Sequence, residues 1–225
     1  MNKTQDSRVR VKICGLKSVE TAEAVGRMNP DLVGFVFAAS KRRVSPELAG
    51  DMIRTLKAAG SKAMSAGVFV NPTLTELEEA MASAPLDVIQ LHGTETPEFC
   101  ERVKARFAGI LVYKVFPVSA QDNISEQLDA YCHTIDAIML DTIGGGTGKT
   151  FEWECIPKYS AYAGSIGLPL IVAGGLNPDN VEDLVKSYRP DGVDVSSGVE
   201  TDGIKDLNKI SAFIERVKSV DQQRT

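Results

Sequence analysis

Arg10-Val11-Lys12-Ile13-Cys14-Gly15 reads as a short strand that is only half apolar and ends on a cysteine. A strand alternates its faces, so Val11 and Ile13 point one way while Arg10, Lys12 and Cys14 point the other. The same inversion returns in Val88-Ile89-Gln90-Leu91-His92, in Ala137-Ile138-Met139-Leu140-Asp141 and in Gly192-Val193-Asp194-Val195-Ser196. An ordinary central strand of a parallel sheet is apolar on both faces. A barrel strand packs its outer face on helices, and its inner face leads to a mouth. Laid side by side, these strands collect Cys14, His92, Asp141 and Ser196 at one end.

Outward from this strand, apolar runs recur every 20 to 30 residues or so, with amphipathic stretches between them. They are residues 9–14, 32–37, 66–70, 88–92, 110–116, 137–142, 168–173 and 192–196. Ser45-Pro46, Asn71-Pro72, Thr96-Pro97 and Asn177-Pro178 each put a capping side chain before a proline at a first helical position. Thr75 and Glu78 fit a capping box. A last helix is expected over residues 206–218, with Leu207, Ile210, Phe213, Ile214 and Val217 in one stripe. This alternation predicts an α/β fold with a parallel sheet. Eight units in about 210 residues fit a closed (β/α)8 TIM barrel. An open doubly wound sheet carries the same alternation, and the polar inner faces favour the barrel. The expected domain spans residues 9–218, after a loose extension over 1–8 and before a flexible tail over 219–225.

A 225-residue chain with 43% hydrophobic residues is long enough for one sizeable core. The net charge of −5 argues against a general nucleic-acid binder, yet a local basic pocket still suits an anionic substrate. Four cysteines (Cys14, Cys100, Cys132, Cys155) form no CxxC pair, so a reduced, cytoplasmic chain without zinc is expected. No apolar run reaches the ~18 residues of a membrane span.

Gly144-Gly145-Gly146-Thr147-Gly148-Lys149-Thr150 imitates a P-loop but fails its spacing, because Ile143 stands where the first glycine is required. Directly behind Asp141, it reads as a flexible active-site loop. Gly174-Gly175 and Ser196-Ser197-Gly198 follow the seventh and eighth strands, the usual phosphate site of such barrels. Cys14 near Lys12 reads as a thiolate base or nucleophile, and Asp141 as an acid–base carboxylate. Lys12, Lys114 and Asp194 are expected to neutralise one another inside the barrel. Lys41-Arg42-Arg43 is a natural counter-charge for a substrate carboxylate. His92 suits either a site residue or a hydrogen-bonded spacer.

Together these segments resemble the phosphoribosylanthranilate isomerase family. The resemblance rests on residues 12–15, 34–37 with 40–42, 67–71, 90–93, 140–142 with 145–151, 174–178 and 194–200. The chain departs from the family pattern at Glu152, where an aspartate looks usual, and in its extra first eight residues. The resemblance implies a phosphate-binding barrel that performs an Amadori rearrangement of a phosphosugar, without cofactor or metal. It implies Cys14 as general base, Asp141 as general acid and Arg42 as holder of the anthranilate carboxylate. Gly174, Gly175, Ser196, Ser197 and Gly198 would hold the phosphate, and His92 and Asp194 complete the substrate-binding set. Both catalytic pKa values are expected to move toward neutrality. The expected assembly is a monomer or homodimer. The rival readings are an indole-glycerol-phosphate synthase or ribulose-phosphate epimerase barrel, and a non-catalytic barrel that senses a phosphorylated metabolite.

Overall fold

The computed structural model describes residues 8–118, 128–142, 150 and 152–222. Its strands are β1 (Arg10–Cys14), β2 (Leu32–Val36), β3 (Met64–Phe69), β4 (Val88–Leu91), β5 (Leu111–Pro117), β6 (Ala137–Asp141), β7 (Leu170–Val172) and β8 (Gly192–Val195). They close into one parallel barrel in sequence order, β8 pairing with β1, so the open doubly wound alternative is excluded. The helices are α1 (Val19–Arg27), α2 (Pro46–Ala58), α3 (Leu74–Ser83), α4 (Pro97–Arg106), α5 (Ile156–Ser165), α6 (Pro178–Tyr188) and α7 (Leu207–Gln222). A 3-10 turn (Ser197–Val199) and a small antiparallel hairpin, β9 (Glu200–Thr201) with β10 (Ile204–Lys205), follow β8.

Local chemistry accounts for most helix starts. Ser45, Thr96 and Asn177 cap α2, α4 and α6 as expected, each before a proline. The start of α3 differs from expectation. Its cap is Thr73 and its capping box pairs Thr73 with Glu76, while Thr75 and Glu78 lie inside the helix and form no box. Asn71 is not a cap: it sits at φ 49 and its side chain accepts from Thr94 N at 2.7 Å. It thereby ties the loop after β3 to the loop after β4. At the other end, α7 runs on to Gln222 with Val220 buried, so residues 219–222 are helix rather than tail. The expected extension lies, apart from Arg8, outside the described residues, as does most of the glycine-rich loop after β6.

Two apolar layers hold the barrel. Outward-facing Val11, Ile13, Ile138 and Leu140 join the helices in the larger core. Inward-facing Leu32, Ala66, Val88, Tyr113, Val115, Ala137, Met139 and Ile171 fill the interior, so the barrel is a packed core and not a pore. Lys12 and Asp194 form the expected pair inside, Nζ to Oδ1 at 3.0 Å. Lys114 does not join them. It alternates with Val112 and Phe116 of the outer core, and its Nζ lies 3.2 Å from Glu95 Oε2. The period of β5 decides this: Tyr113 and Val115 take the inner positions.

The N-terminal rim carries a fourfold device. Asp31, Asp87, Asp136 and Asp191 each precede an even-numbered strand. Each accepts, through Oδ2, the first free N–H of the preceding odd strand: Val11, Ser65, Val112 and Leu170, at 2.7–2.8 Å. A strand entry leaves backbone donors without a ladder partner, and a carboxylate satisfies them strongly. Replacing Asp191 by alanine is expected to cost about 1–3 kcal/mol of unfolding free energy, the usual cost of an orphaned buried donor. The kcat should stay within about twofold, because stability and catalysis occupy opposite ends of such barrels. Urea unfolding measured beside steady-state turnover checks both halves.

Candidate active site

The C-terminal ends of the strands surround a cavity of about 540 Å³ lined by Cys14, Arg42, His92, Asp141, Asp194 and Ser196. Six of the sequence-predicted residues therefore meet in one place. An apolar part of its wall is made by Val36, Val68, Val70, Val115 and Pro117 from the β2, β3 and β5 side.

Cys14 ends β1 and is buried. Its register partner on β2 is Gly34. A Cβ at Gly34 would lie 2.7 Å from Cys14 Sγ, so this glycine makes the room that the thiol occupies. Lys12 lies two residues earlier on the same face, donates to Asp194 at 3.0 Å and acts on the cysteine through its charge. Burial works against its charge, but Asp194 and Cys14 outweigh that and push its pKa up to about 12. Burial pushes the Cys14 thiol up, and Lys12 pulls only partly against it. This is opposite to the expected shift toward neutrality, because desolvation of the thiolate exceeds the attraction of a single lysine.

Asp141 ends β6. Its Oδ1 accepts from Thr142 N at 2.7 Å and from Thr142 Oγ1 at 3.2 Å, and its Oδ2 faces His92 Nε2 at 3.4 Å. Burial raises the Asp141 pKa, against the pull of His92. Burial also lowers the His92 pKa, against the pull of Asp141. Desolvation thus favours the neutral form of each group, and the charge of each partner works against it. A Cβ at Gly174, which sits at φ +85, would lie 2.8 Å from Asp141 Oδ1. Gly174 therefore makes room for Asp141.

The remaining predicted residues lie at the cavity edge. Ser196 Oγ donates to Cys14 O at 3.1 Å, which ties the end of β8 to the end of β1. Ser197 opens the 3-10 turn, and the first N–H groups of such a turn have no partner inside it. Gly175 sits at φ +64, and its carbonyl accepts from Asn180 Nδ2 at 3.0 Å. A Cβ at Gly198 would lie 1.8 Å from Leu176 O, so the loops after β7 and β8 are pressed together. Gly174, Gly175, Ser197 and Gly198 are not among the cavity-lining residues.

Three residues escaped the sequence reading. Glu200 accepts from Arg42 at two points, Nε at 2.7 Å and Nη2 at 2.8 Å, and from Lys205 Nζ at 2.7 Å. All three side chains are under 8% exposed. Gln90 lines the cavity floor, with Oε1 buried and unpartnered among the described residues. Glu200 had one signal, a carboxylate closing the Ser196–Glu200 segment opposite a basic cluster. Lys205 had none.

This geometry defines a (β/α)8-barrel enzyme whose site is built from strand ends and the loops that follow them. The family model for N-(5'-phosphoribosyl)anthranilate (PRA) isomerase matches residues 11–216. An N-(5'-phosphoribosyl)anthranilate isomerase of Brevibacillus brevis is 45% identical over 217 residues, covering 95% of each chain. The crystal structure of phosphoribosyl anthranilate isomerase from Thermotoga maritima is 37% identical, with a TM-score of 0.81 over 94% of this chain and 99% of that one. A phosphoribosyl anthranilate isomerase in complex with reduced 1-(o-carboxyphenylamino)-1-deoxyribulose 5-phosphate is 37% identical, with a TM-score of 0.79 over the same shares. The chain belongs to the N-(5'-phosphoribosyl)anthranilate isomerase family.

The buried Glu200 cluster has a consequence for acid stability. Burial opposes ionisation of Glu200, but Arg42 and Lys205 outweigh it and hold its pKa at about 2, below an ordinary 4.5. A carboxylate whose pKa is depressed on folding stabilises the fold above its unfolded pKa and loses that contribution as pH falls through the folded one. Wild-type stability should therefore decline from about pH 4.5 toward pH 2. In Glu200→Gln that part of the decline should vanish while stability near pH 7 is lower, as denaturant titrations across this range would show.

Proposed function

We propose that this chain converts N-(5'-phosphoribosyl)anthranilate into 1-(o-carboxyphenylamino)-1-deoxyribulose 5-phosphate, a step of tryptophan biosynthesis, with Asp141 as general acid and Cys14 as general base. The observation that carries the assignment is one cavity holding, at the end of β6, a carboxyl whose pKa burial raises and, at the end of β1, a lysine-flanked thiol. Asp141 donates its proton to the furanose ring oxygen. The C1–O bond breaks, and the nitrogen lone pair forms a C1=N Schiff base. The Cys14 thiolate then takes the proton from C2, and the electron pair moves to make a C1=C2 enolamine. The enol proton leaves, a proton arrives at C1, and the C2 ketone forms. The sequence is a net isomerisation.

Placement of the substrate follows from polarity. The apolar wall from Val36 to Pro117 suits the aromatic ring, and Arg42 beside it suits the ring's carboxylate. The adjoining loops at Gly174–Gly175 and Ser196–Gly198 suit the phosphate at the far end of the sugar. Asp194 anchors Lys12, and His92 stands beside Asp141 with Nε2 3.4 Å from Oδ2. Four free cysteines accord with a cytoplasmic location. No helix among the described residues is long and apolar enough to cross a membrane. The Thermotoga maritima enzyme is dimeric, and a homodimer or monomer is proposed here too.

The competent enzyme holds Asp141 protonated and Cys14 ionised. Burial raises both pKa values, which favours the acid form of Asp141 and opposes ionisation of Cys14. The product of the two fractions gives kcat/KM a plateau, falling below the Asp141 pKa and above the Cys14 pKa. In Asp141→Asn the plateau should disappear. Activity should be lower by about 10²–10⁴-fold and rise about tenfold per pH unit as the thiol ionises. Cys14→Ala should lose a comparable factor, with binding of the product analogue kept. A pH profile of Asp141→Asn that still shows both wild-type limbs would remove Asp141 from the acid role.

A further inference from the structure

Arg42 approaches the cavity with two of its five hydrogen-bond donors already spent. A guanidinium has five N–H donors in a rigid planar fork. Glu200 takes one on Nε and one on Nη2, the side edge of the fork. Three remain, and one on Nη1 with one on Nη2 form the end edge. No described residue accepts from that edge. The stem of Arg42 is fixed as well: a Cβ at Gly15 would lie 2.7 Å from Arg42 Cδ, so the side chain lies across the residue that follows Cys14. Lys205 completes the arrangement. Its Nζ binds Glu200 Oε1 at 2.7 Å and Ser196 O at 2.9 Å, and Ser196 in turn binds the Cys14 carbonyl.

We propose that Glu200, held by Lys205, is a positioning residue for substrate recognition: it fixes Arg42 by its side edge so that the end edge presents a bidentate fork to a substrate carboxylate. The inference rests on the reading of Arg42 as the carboxylate anchor. The fork and a carboxylate match in geometry only when the guanidinium plane is held, and a free arginine loses side-chain entropy on binding. Glu200 removes that cost in advance. It is an anion placed beside an anion's binding site, which is unfavourable unless its charge is cancelled. Arg42 and Lys205 together carry +2 against its −1, so the cluster still presents a net positive charge to the substrate. The loop after β8 thereby serves both ends of the substrate, through Lys205–Ser196 toward the phosphate loop and through Glu200 toward Arg42.

The test compares two substrates prepared by condensing ribose 5-phosphate with anthranilate or with aniline, which lacks the carboxylate. The readout is the ratio of kcat/KM values for the two. Arg42→Ala should lower this ratio by about 10- to 100-fold, the value of one charge-assisted bond. Glu200→Gln should lower it about 3- to 30-fold, the range for coupled neighbours in one hydrogen-bond network. The loss should fall on the anthranilate substrate alone. In the Arg42→Ala background the Glu200 substitution should change the ratio no further. Glu200→Asp, which keeps the charge at shorter reach, should recover part of the ratio. Should Glu200→Gln fail to fold because Lys205 is orphaned, Glu200→Gln combined with Lys205→Met removes both charges and is read in the same way. A folded Glu200 variant with the wild-type ratio, while Arg42→Ala lowers it, overturns the positioning role alone. An unchanged ratio in Arg42→Ala overturns the carboxylate anchor and the positioning role with it.

Discussion

The barrel closes where β8 meets β1, and at that seam Lys12 and Asp194 are register partners joined by a buried ion pair. Such a pair adds little net stability, since desolvating two charges offsets most of their attraction. Removing one partner, however, leaves an uncompensated charge inside the barrel, so the pair restricts which registers the last strand can take. A slip of one residue would turn Asp194 outward and Val193 and Val195 inward. Lys12 would then be orphaned. The same lysine sits below Cys14 and supplies the strongest charge acting on its thiol. Closure of the fold and the electrostatics of the proposed base therefore depend on one interaction.

The two ends of the barrel divide the labour. At the N-terminal rim four aspartates hold odd strands to even ones. At the C-terminal mouth equivalent positions are given to Cys14, His92, Asp141 and Ser196. Between them the interior is graded, from the apolar plug of Leu32, Val88, Tyr113 and Met139 to the polar layer of Lys12, Gln90 and Asp194. The polar layer is affordable because the plug beneath it is dry and tightly packed. The site gains a low-dielectric floor in which each charge acts strongly.

Most of the fold was legible in the sequence because a barrel strand writes its two faces in alternate letters. Strand ends such as Cys14 and Asp141 follow from that period directly. Lys114 was misread for a physical reason. Its run, Leu111 to Phe116, is apolar on both faces, so period alone does not say which face looks inward. Only the neighbours do, and the snorkelling ammonium finds Glu95 and backbone carbonyls outside the barrel. Thr73 was passed over because Asn71-Pro72 offered a stronger-looking cap, while the asparagine's side chain was needed to bind the next loop. Glu200 and Lys205 were the hardest. The pairing of Glu200 with Arg42 spans 158 residues of chain, no local pattern encodes a contact of that separation, and Lys205 takes its role only from Glu200.

Burial at the mouth raises the pKa of Asp141 and of Cys14 alike, and only one of the two proposed roles benefits. Excluding water from Asp141 protects the proton that the proposed acid would give. Excluding water from Cys14 protects a proton that the proposed base would have to lose. The proposed substrate would add to this, because its carboxylate and phosphate are anions and each anion raises both pKa values further. Cations near the thiol are therefore needed in proportion to the charge the site admits. Lys12 and Lys205 both pull against the rise of the Cys14 pKa, and Arg42 is the group proposed to meet the substrate's carboxylate. A chain of net charge −5 places three buried cations, Lys12, Arg42 and Lys205, at this end of the barrel against the paired Asp194 and Glu200. That local positive excess would let the site admit the proposed substrate's carboxylate and phosphate while opposing their effect on the thiol.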